Sequence, residues 1–272
     1  MLPSALATPD LLASASFKKD LSKLETTAFQ KGNSTTDSMY QWFAKHPAHQ
    51  KDFQTWMAET QKRQESLFGI LPLDQFFGSE IEASSTETTT IPEPKRLFVD
   101  VGGGNSRLCA EVRERYPYPA FKGQVINQDI QASLVGPESG LTNNSNAGIE
   151  HQDYDFFTEQ PAKGARVYHL RNILHNWSDD ECVKILSNTR EAMDDDGHSV
   201  AIVDSTAISD SELSWYDSYV DLVMGMFFGA RVRSLDEYKA LAEKAGLVWE
   251  KTLKYGEESN QYVAVLRKKK LS

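Results

Sequence analysis

Cysteine is scarce in this chain. There are two in 272 residues, Cys109 and Cys182, with neither a Cys-x-x-Cys pair nor a histidine grouping nearby. A structural zinc site is therefore unsupported, and no metal is expected. Both cysteines fall on predicted helices and read as buried thiols of a reducing compartment. Long apolar runs are missing too: none approaches the roughly 20 residues needed to cross a bilayer. Met1 to Ser16 has no basic region ahead of its short apolar stretch, so it does not read as a signal peptide. Positive charge is in deficit, with 29 Lys and Arg against 39 Asp and Glu, a net charge of −10 and a pI near 5.1. That balance argues against a phosphate-backbone partner. The one basic run, Lys268-Lys269-Lys270, reads as a solvated end. No internal repeat is evident. The expectation is a cytoplasmic protein with no nucleic-acid and no membrane partner.

What is present begins with a hydrophobic fraction of 40%, enough for a real core. The chain is organised around Arg96 to Leu108, which reads as a strand, a glycine turn and a helix start. Leu97, Phe98, Val99 and Val101 suit a strand covered on both faces. Gly102, Gly103 and Gly104 permit backbone angles that a Cβ forbids, and let a ligand approach the main chain. Asn105 or Ser106 is placed to cap the helix that follows. Such a unit is where open α/β sheets bind nucleotide-like ligands. Asp129 ends the next predicted strand, about 25–30 residues on, where an acid accepts hydrogen bonds from ribose hydroxyls.

Ahead of this stretch the chain reads as helical. Residues 1–30 are mildly so, Thr36 or Asp37 opens a helix through Met39, Tyr40, Trp42 and Phe43, and Pro47 stops it. Phe53, Trp56, Met57 and Thr60 then form an i, i+3, i+4 stripe whose simplest reading is core packing. Residues 82–94 are polar with two prolines and read as a linker or exposed loop. From Lys95 onward strands and helices alternate. Strands are expected at Gln124–Ile126, Val167–Leu170 and Ser199–Asp204, a long loop at 136–148, and a terminal strand pair at 248–253 and 261–266. Ser178 or Asp179 caps one helix, the apolar face of another runs from Trp215 to Phe227, and Ser234 starts a third. Alternation of this kind means a mostly parallel sheet with helices on both faces. The expected division is a helical segment 1–81, a linker 82–94 and an α/β domain 95–272.

Over roughly residues 37–267 the chain resembles the class I S-adenosylmethionine-dependent O-methyltransferases, of the caffeic acid/flavonoid type and its fungal secondary-metabolism relatives. The resemblance rests on Val99-Asp100-Val101-Gly102-Gly103-Gly104, on Asp129, on Asp155-Phe156-Phe157, and on Leu170-Arg171-Asn172-Ile173-Leu174-His175-Asn176-Trp177-Ser178-Asp179. The last segment is the most specific. The resemblance implies a Rossmann-like seven-stranded sheet and S-adenosylmethionine as cofactor. Asp100, Gly102 and Gly104 would line the cofactor, Asp129 would hold its ribose, and Asp155 and Phe156 would flank its adenine, with Asp153 a close rival for the acid. Arg171 stands where the family usually has a cofactor-contacting lysine. His175 stands at the general base, and Asp204 at one of two acids that orient it. Met57 and Trp177 would face the acceptor.

The chemistry explains these residue types. Methyl transfer from a sulfonium is an in-line displacement, so donor carbon and acceptor oxygen must be held close and aligned. A neutral phenol or enol is a poor nucleophile, and a histidine near its proton improves it at neutral pH. A carboxylate on the other ring nitrogen would set the tautomer.

The chain departs from the family pattern in three places. Asn105-Ser106 replaces the motif's third glycine, and Val232 stands at the second orienting acid. The winged-helix dimerisation domain that the family carries ahead of the glycine motif is not recognisable, so a monomer or weak dimer is expected. The leading expectation is an O-methyltransferase acting on a hydroxyl of an aromatic or polyketide-like secondary metabolite. The rivals are a methyltransferase-like enzyme using the pocket for a pericyclic or dehydration step, and a non-catalytic partner of a biosynthetic enzyme.

Overall fold

The computed structural model describes residues 2–14, 24–61, 65–77, 96–117, 123–130, 148–208, 215–256 and 260–269. The expected linker at 82–94, and all but Gly148 of the loop at 136–148, lie outside them. In chain order the elements are α1 (Leu2–Ser14), α2 (Ala28–Gly32), α3 (Met39–Lys45), α4 (Pro47–Gln61), α5 (Leu67–Ile70), α6 (Asp74–Phe77), β1 (Arg96–Val101), α7 (Arg107–Arg115), β2 (Gln124–Asp129), β3 (Ile149–Asp153) and β4 (Val167–Arg171). A 3₁₀ turn (Leu174–Asn176) follows, then α8 (Asp179–Ala192), β5 (Val200–Thr206), α9 (Trp215–Phe228), α10 (Leu235–Lys244), β6 (Leu247–Lys254) and β7 (Gln261–Lys268). The chain divides into two compact units: Met1–Gln64 with Asn172–Cys182 and Ser205–Tyr238, and Glu65–Arg171 with Val183–Asp204 and Lys239–Ser272.

The second unit carries a seven-stranded sheet in the order β3-β2-β1-β4-β5-β7-β6. β3, β2, β1, β4 and β5 run parallel, each pair in continuous register apart from one shift in β1, and β6 and β7 pair antiparallel. Every residue of β5 is buried, as are Val167 to Leu170 of β4, because both faces of the central strands are covered. One face packs Leu97, Val125, Val167, Val200, Ile202, Val263 and Val265 against Leu67, Phe77, Leu108 and Val112. The strand order reverses between β1 and β4, which opens a crevice at their carboxyl ends. Lys268 is not a solvated end: it belongs to β7, and its ammonium reaches Met193 O at 3.3 Å and Asp195 at 2.5 Å.

In the first unit α1, α2 and α9 share a small core of Leu11, Ala28 and Met226, with Leu24 and Phe227 against it. Two capping boxes punctuate its start: Thr27 with Gln30, and Ser38 with Gln41. Ser38, rather than Thr36 or Asp37, opens α3, because its extended backbone lets the hydroxyl accept from Gln41 N. The stripe on α4 is not core: Phe53 and Met57 are half-buried and Trp56 is 50% exposed. Phe53 packs instead on Phe43 of α3, with ring centroids 5.1 Å apart. The apolar face of α9 is likewise divided, Met226 entering the core while Trp215, Tyr219 and Leu222 remain exposed. No described helix is long and apolar enough to cross a membrane.

Candidate active site

In the second unit the glycine turn after β1 is pinned to β2. Gly102 N and Gly103 N both donate to Gln128 O, at 2.8 and 3.0 Å, and Gly104 N donates to Asp129 Oδ2 at 2.9 Å. Gly102 and Gly104 have φ of 72° and 53°, left-handed angles that favour glycine. A Cβ on Gly103 would come within 2.2 Å of Asn127 Oδ1 and 2.6 Å of Asp100 Oδ2, so no side chain fits there. Among the described residues, a Cβ on Gly104 would meet nothing within 4 Å. The loop is therefore closed off at Gly103 and, among the described residues, open at Gly104. Ser106 also has a positive φ, 61°, and its side chain makes no cap. That departs from the expected capping role: Asn105 Oδ1 accepts from Arg107 N, at 3.3 Å, while the Ser106 hydroxyl lies 3.4 Å from His151 Nδ1.

Asp129 ends β2 beside the glycine turn, and its other oxygen accepts from Ile130 N at 2.8 Å. Asp129 and Asp153 are partners across β2 and β3. Asp155 spends one oxygen on its own turn, accepting from Phe157 N at 3.0 Å, and stays exposed. Phe156 is half-buried, and Asn188 holds its carbonyl at 2.8 Å.

A buried polar row crosses the sheet beneath the crevice. His169 Nδ1 donates to Asp100 Oδ1 at 2.8 Å, and its Nε2 stands 3.6 Å from Asp204 Oδ2. Residues two apart on a strand share a face, so Arg171 stands on the same side as His169 and in register with Asp204. Arg171 Nε lies 3.4 Å from Asp204 Oδ2, and Tyr255 donates its hydroxyl to that oxygen at 2.7 Å. Burial opposes charge on His169, but its hydrogen bond to Asp100 and the nearby carboxylates of Asp100 and Asp204 outweigh it and raise its pKa. Burial, together with the Asp204 charge, pushes the Tyr255 phenol far up, so it remains a donor.

In the first unit, Asn172 adopts φ 54°, a left-handed angle that asparagine tolerates. The 3₁₀ turn that follows carries His175. Asn176 Nδ2 donates to Asn172 O at 3.1 Å and to the Tyr40 hydroxyl at 3.2 Å, and the Tyr40 ring stacks on Trp177. Ser178 and Glu181 close the turn with a capping box at the head of α8. The His175 ring is buried, and its Nδ1 lies 3.3 Å from Ser205 Oγ. Burial, helped by the charge of Arg233, lowers its pKa to about 4. At His175 Nδ1 the partner is thus a hydroxyl, not the expected carboxylate, and Asp204 is engaged by His169, Arg171 and Tyr255. Alternation along β5 is the reason, since Asp204 and Ser205 are neighbours and leave the strand on opposite faces. Val232 is buried, and its N–H donates to Asp221 Oδ1 at 2.8 Å.

Four residues outside the sequence expectation therefore carry the polar architecture: His169, Ser205, Arg233 and Tyr255. His169 was signalled by its spacing of two from Arg171 on a predicted strand. The other three had no local signal. Among the described residues, no group of three or more His, Cys, Asp or Glu could hold a metal.

Residues 81–248 match the family described as O-methyltransferase domain. The chain is 32% identical over 245 residues to the O-methyltransferase lepI of Aspergillus flavus, covering 90% of this chain and 58% of that protein. It is 30% identical over 246 residues to a demethylsterigmatocystin 6-O-methyltransferase of the same organism, again with 90% and 58% covered. Two solved structures, described as a pericyclic reaction enzyme and as LepI in complex with SAM, each superpose with a TM-score of 0.82 at 29% identity. Each pairing covers 98% of this chain and 64% of the other. The chain thus spans less than two thirds of the length of each of these four chains.

Proposed function

This chain belongs to the O-methyltransferase family, and we propose that it methylates a hydroxyl of an aromatic or polyketide-like metabolite with S-adenosylmethionine as cofactor. The observation that carries this reading is the buried, neutral His175 on a turn braced at both ends. A neutral imidazole has a lone pair to accept the proton that a hydroxyl loses on methylation. The cofactor, when bound, supplies a methyl group activated by its sulfonium charge. The open face at Gly104 and the carboxylate of Asp129 fit a nucleoside: the main chain admits close approach, and the acid suits a vicinal diol. Gly102, Asp100, Asp155, Phe156 and Arg171 complete the proposed cofactor set, and Met57 and Trp177 the acceptor side. Names of similar proteins support the reaction type, since two are O-methyltransferases.

The test is product mass. Incubation of the protein and cofactor with a panel of phenols and enols is expected to add one methyl group to at least one of them. No gain with any acceptor, in a protein shown to bind the cofactor, would overturn the reading. A second reading, an isomerising pericyclic step, is favoured by one observation: a histidine with a pKa of about 4 is a weak base, and one similar structure is described as a pericyclic reaction enzyme. An isomerisation leaves product mass unchanged, so the same assay separates the two.

Asp129→Ala is expected to weaken binding of S-adenosylmethionine and of its demethylated product. Loss of a hydrogen bond to a charged group costs about 1.5–3 kcal/mol. Calorimetry finding equal affinity in the variant would remove Asp129 from the cofactor site.

A further inference from the structure

Arg233 lies between α9 and α10, and it is 1% exposed. A buried guanidinium has five N–H donors to satisfy, and three of this one's bonds go to the segment that carries His175. Nη1 donates to Leu174 O at 3.0 Å, Nη2 to Trp177 O at 2.7 Å, and Nε to Asp179 Oδ1 at 2.8 Å. The two carbonyls flank His175 in sequence, one on each side. Leu174 O also accepts from the Cys182 thiol at 3.1 Å. A planar fork in a fixed position thus ties both ends of the turn, which a lysine could not do.

The surroundings make its charge count. Cys182 of α8 and Tyr238 of α10 are buried and neutral, each raised to about 12 mainly by burial. Ser205 of β5 offers only a hydroxyl. Asp179, the acid paired with Arg233, has a half-exposed side chain and is screened by solvent. Asp217 of α9, a helix that touches this turn, is buried too, but the charge that acts on the His175 pKa is that of Arg233, and it lowers it.

We propose that Arg233 is the positioning residue of His175, fixing the turn that presents the imidazole and keeping a positive charge beside it. This rests on the reading of His175 as the proton acceptor for the metabolite's hydroxyl. The arginine has a double consequence: geometry is held by three hydrogen bonds, while the charge disfavours the imidazolium, keeping the ring neutral to low pH and making it a weaker base.

Two variants separate the two effects. Arg233→Lys keeps the charge but cannot bond both carbonyls and Asp179 together; Arg233→Met loses both. The ¹⁵N chemical shifts of the His175 ring, followed from about pH 4 to pH 8, report its protonation without any turnover. In wild type and Arg233→Lys the ring is expected to stay neutral to low pH, and in Arg233→Met to titrate closer to the ordinary histidine value. In Arg233→Lys kcat is expected to fall by about 10²-fold, the scale of a small misplacement, with cofactor affinity unchanged. A merely structural arginine would lower the melting temperature of both variants without moving the titration. The proposal fails if Arg233→Met titrates as wild type does, or if Arg233→Lys keeps full kcat. Should Arg233→Met not fold, Arg233→Lys decides alone, since its kcat either falls at unchanged cofactor affinity or does not. Should no acceptor be methylated at all, the functional reading fails and the ring titration still decides the role of Arg233.

Discussion

His175→Ala is expected to lower single-turnover methylation by about 10²- to 10⁴-fold, the usual cost of removing a general base, while cofactor affinity stays nearly intact. The dissociation of the two effects follows from the proposed roles, His175 acting on the acceptor's hydroxyl and Gly102, Gly104 and Asp129 on the cofactor. The wild-type rate should be independent of pH from neutrality down to about 5, because a ring with a pKa of about 4 is already neutral throughout that span. Any rise toward alkaline pH then reports ionisation of the acceptor. An acidic enol, which ionises unaided, should lose least in the variant. Full activity in His175→Ala would sink the general-base reading and leave proximity or the pericyclic reading in its place. The same ring links folding to acid. Its folded pKa is depressed below the unfolded value near 6.5, so the unfolded chain binds the proton first. Stability is therefore lost as pH falls from about 6.5 toward 4, and His175→Ala should flatten that limb in urea titrations.

His169→Ala is expected to cost about 3–5 kcal/mol of stability, the scale seen when one partner of a buried charged pair is removed. It would leave Asp100 and Asp204, both almost fully buried, without the imidazole between them. Urea denaturation of wild type and variant measures this directly. The sign with pH is opposite to that of His175. His169 has a folded pKa raised above its unfolded value, so its contribution is complete below about 6.5 and is lost as pH rises through the folded pKa. The alkaline limb of the wild-type stability curve should be absent in His169→Ala. Because Asp100 Oδ2 sits directly beneath Gly103, the variant should also loosen the glycine turn and weaken cofactor binding. Unchanged stability would overturn the role given to His169 between the two acids. Asp204→Asn should act mainly on this row, through Tyr255, Arg171 and His169. Its turnover loss should therefore be accompanied by a loss of stability rather than by a change at the His175 ring.

Much of this was readable along the chain. The strand, glycine turn and helix at 96–108 are local: three adjacent glycines after four apolar residues allow few other conformations. Sheet class followed from alternation, Asp129 from its distance beyond the turn, and the His175 turn from a ten-residue motif that ends in a helix start. The turn, the alternation and the spacing of Asp129 are properties read along the chain, where backbone sterics and periodicity act; the His175 segment was legible through its resemblance to a family. What tertiary structure decided is which polar group meets which. The strand order β3-β2-β1-β4-β5-β7-β6 puts residues 100, 169 and 204 on one face of three adjacent strands. Strand alternation then turns Asp204 toward that row and Ser205 away from it. Arg233 reaches back across 59 residues to Leu174. A buried charge must find its partner wherever folding brings one within a few ångströms, because leaving it unpaired costs more than any local preference supplies. Sequence determined the glycine turn and the turn that bears the histidine; only the packed chain determined that a serine and an arginine, rather than a carboxylate, attend it.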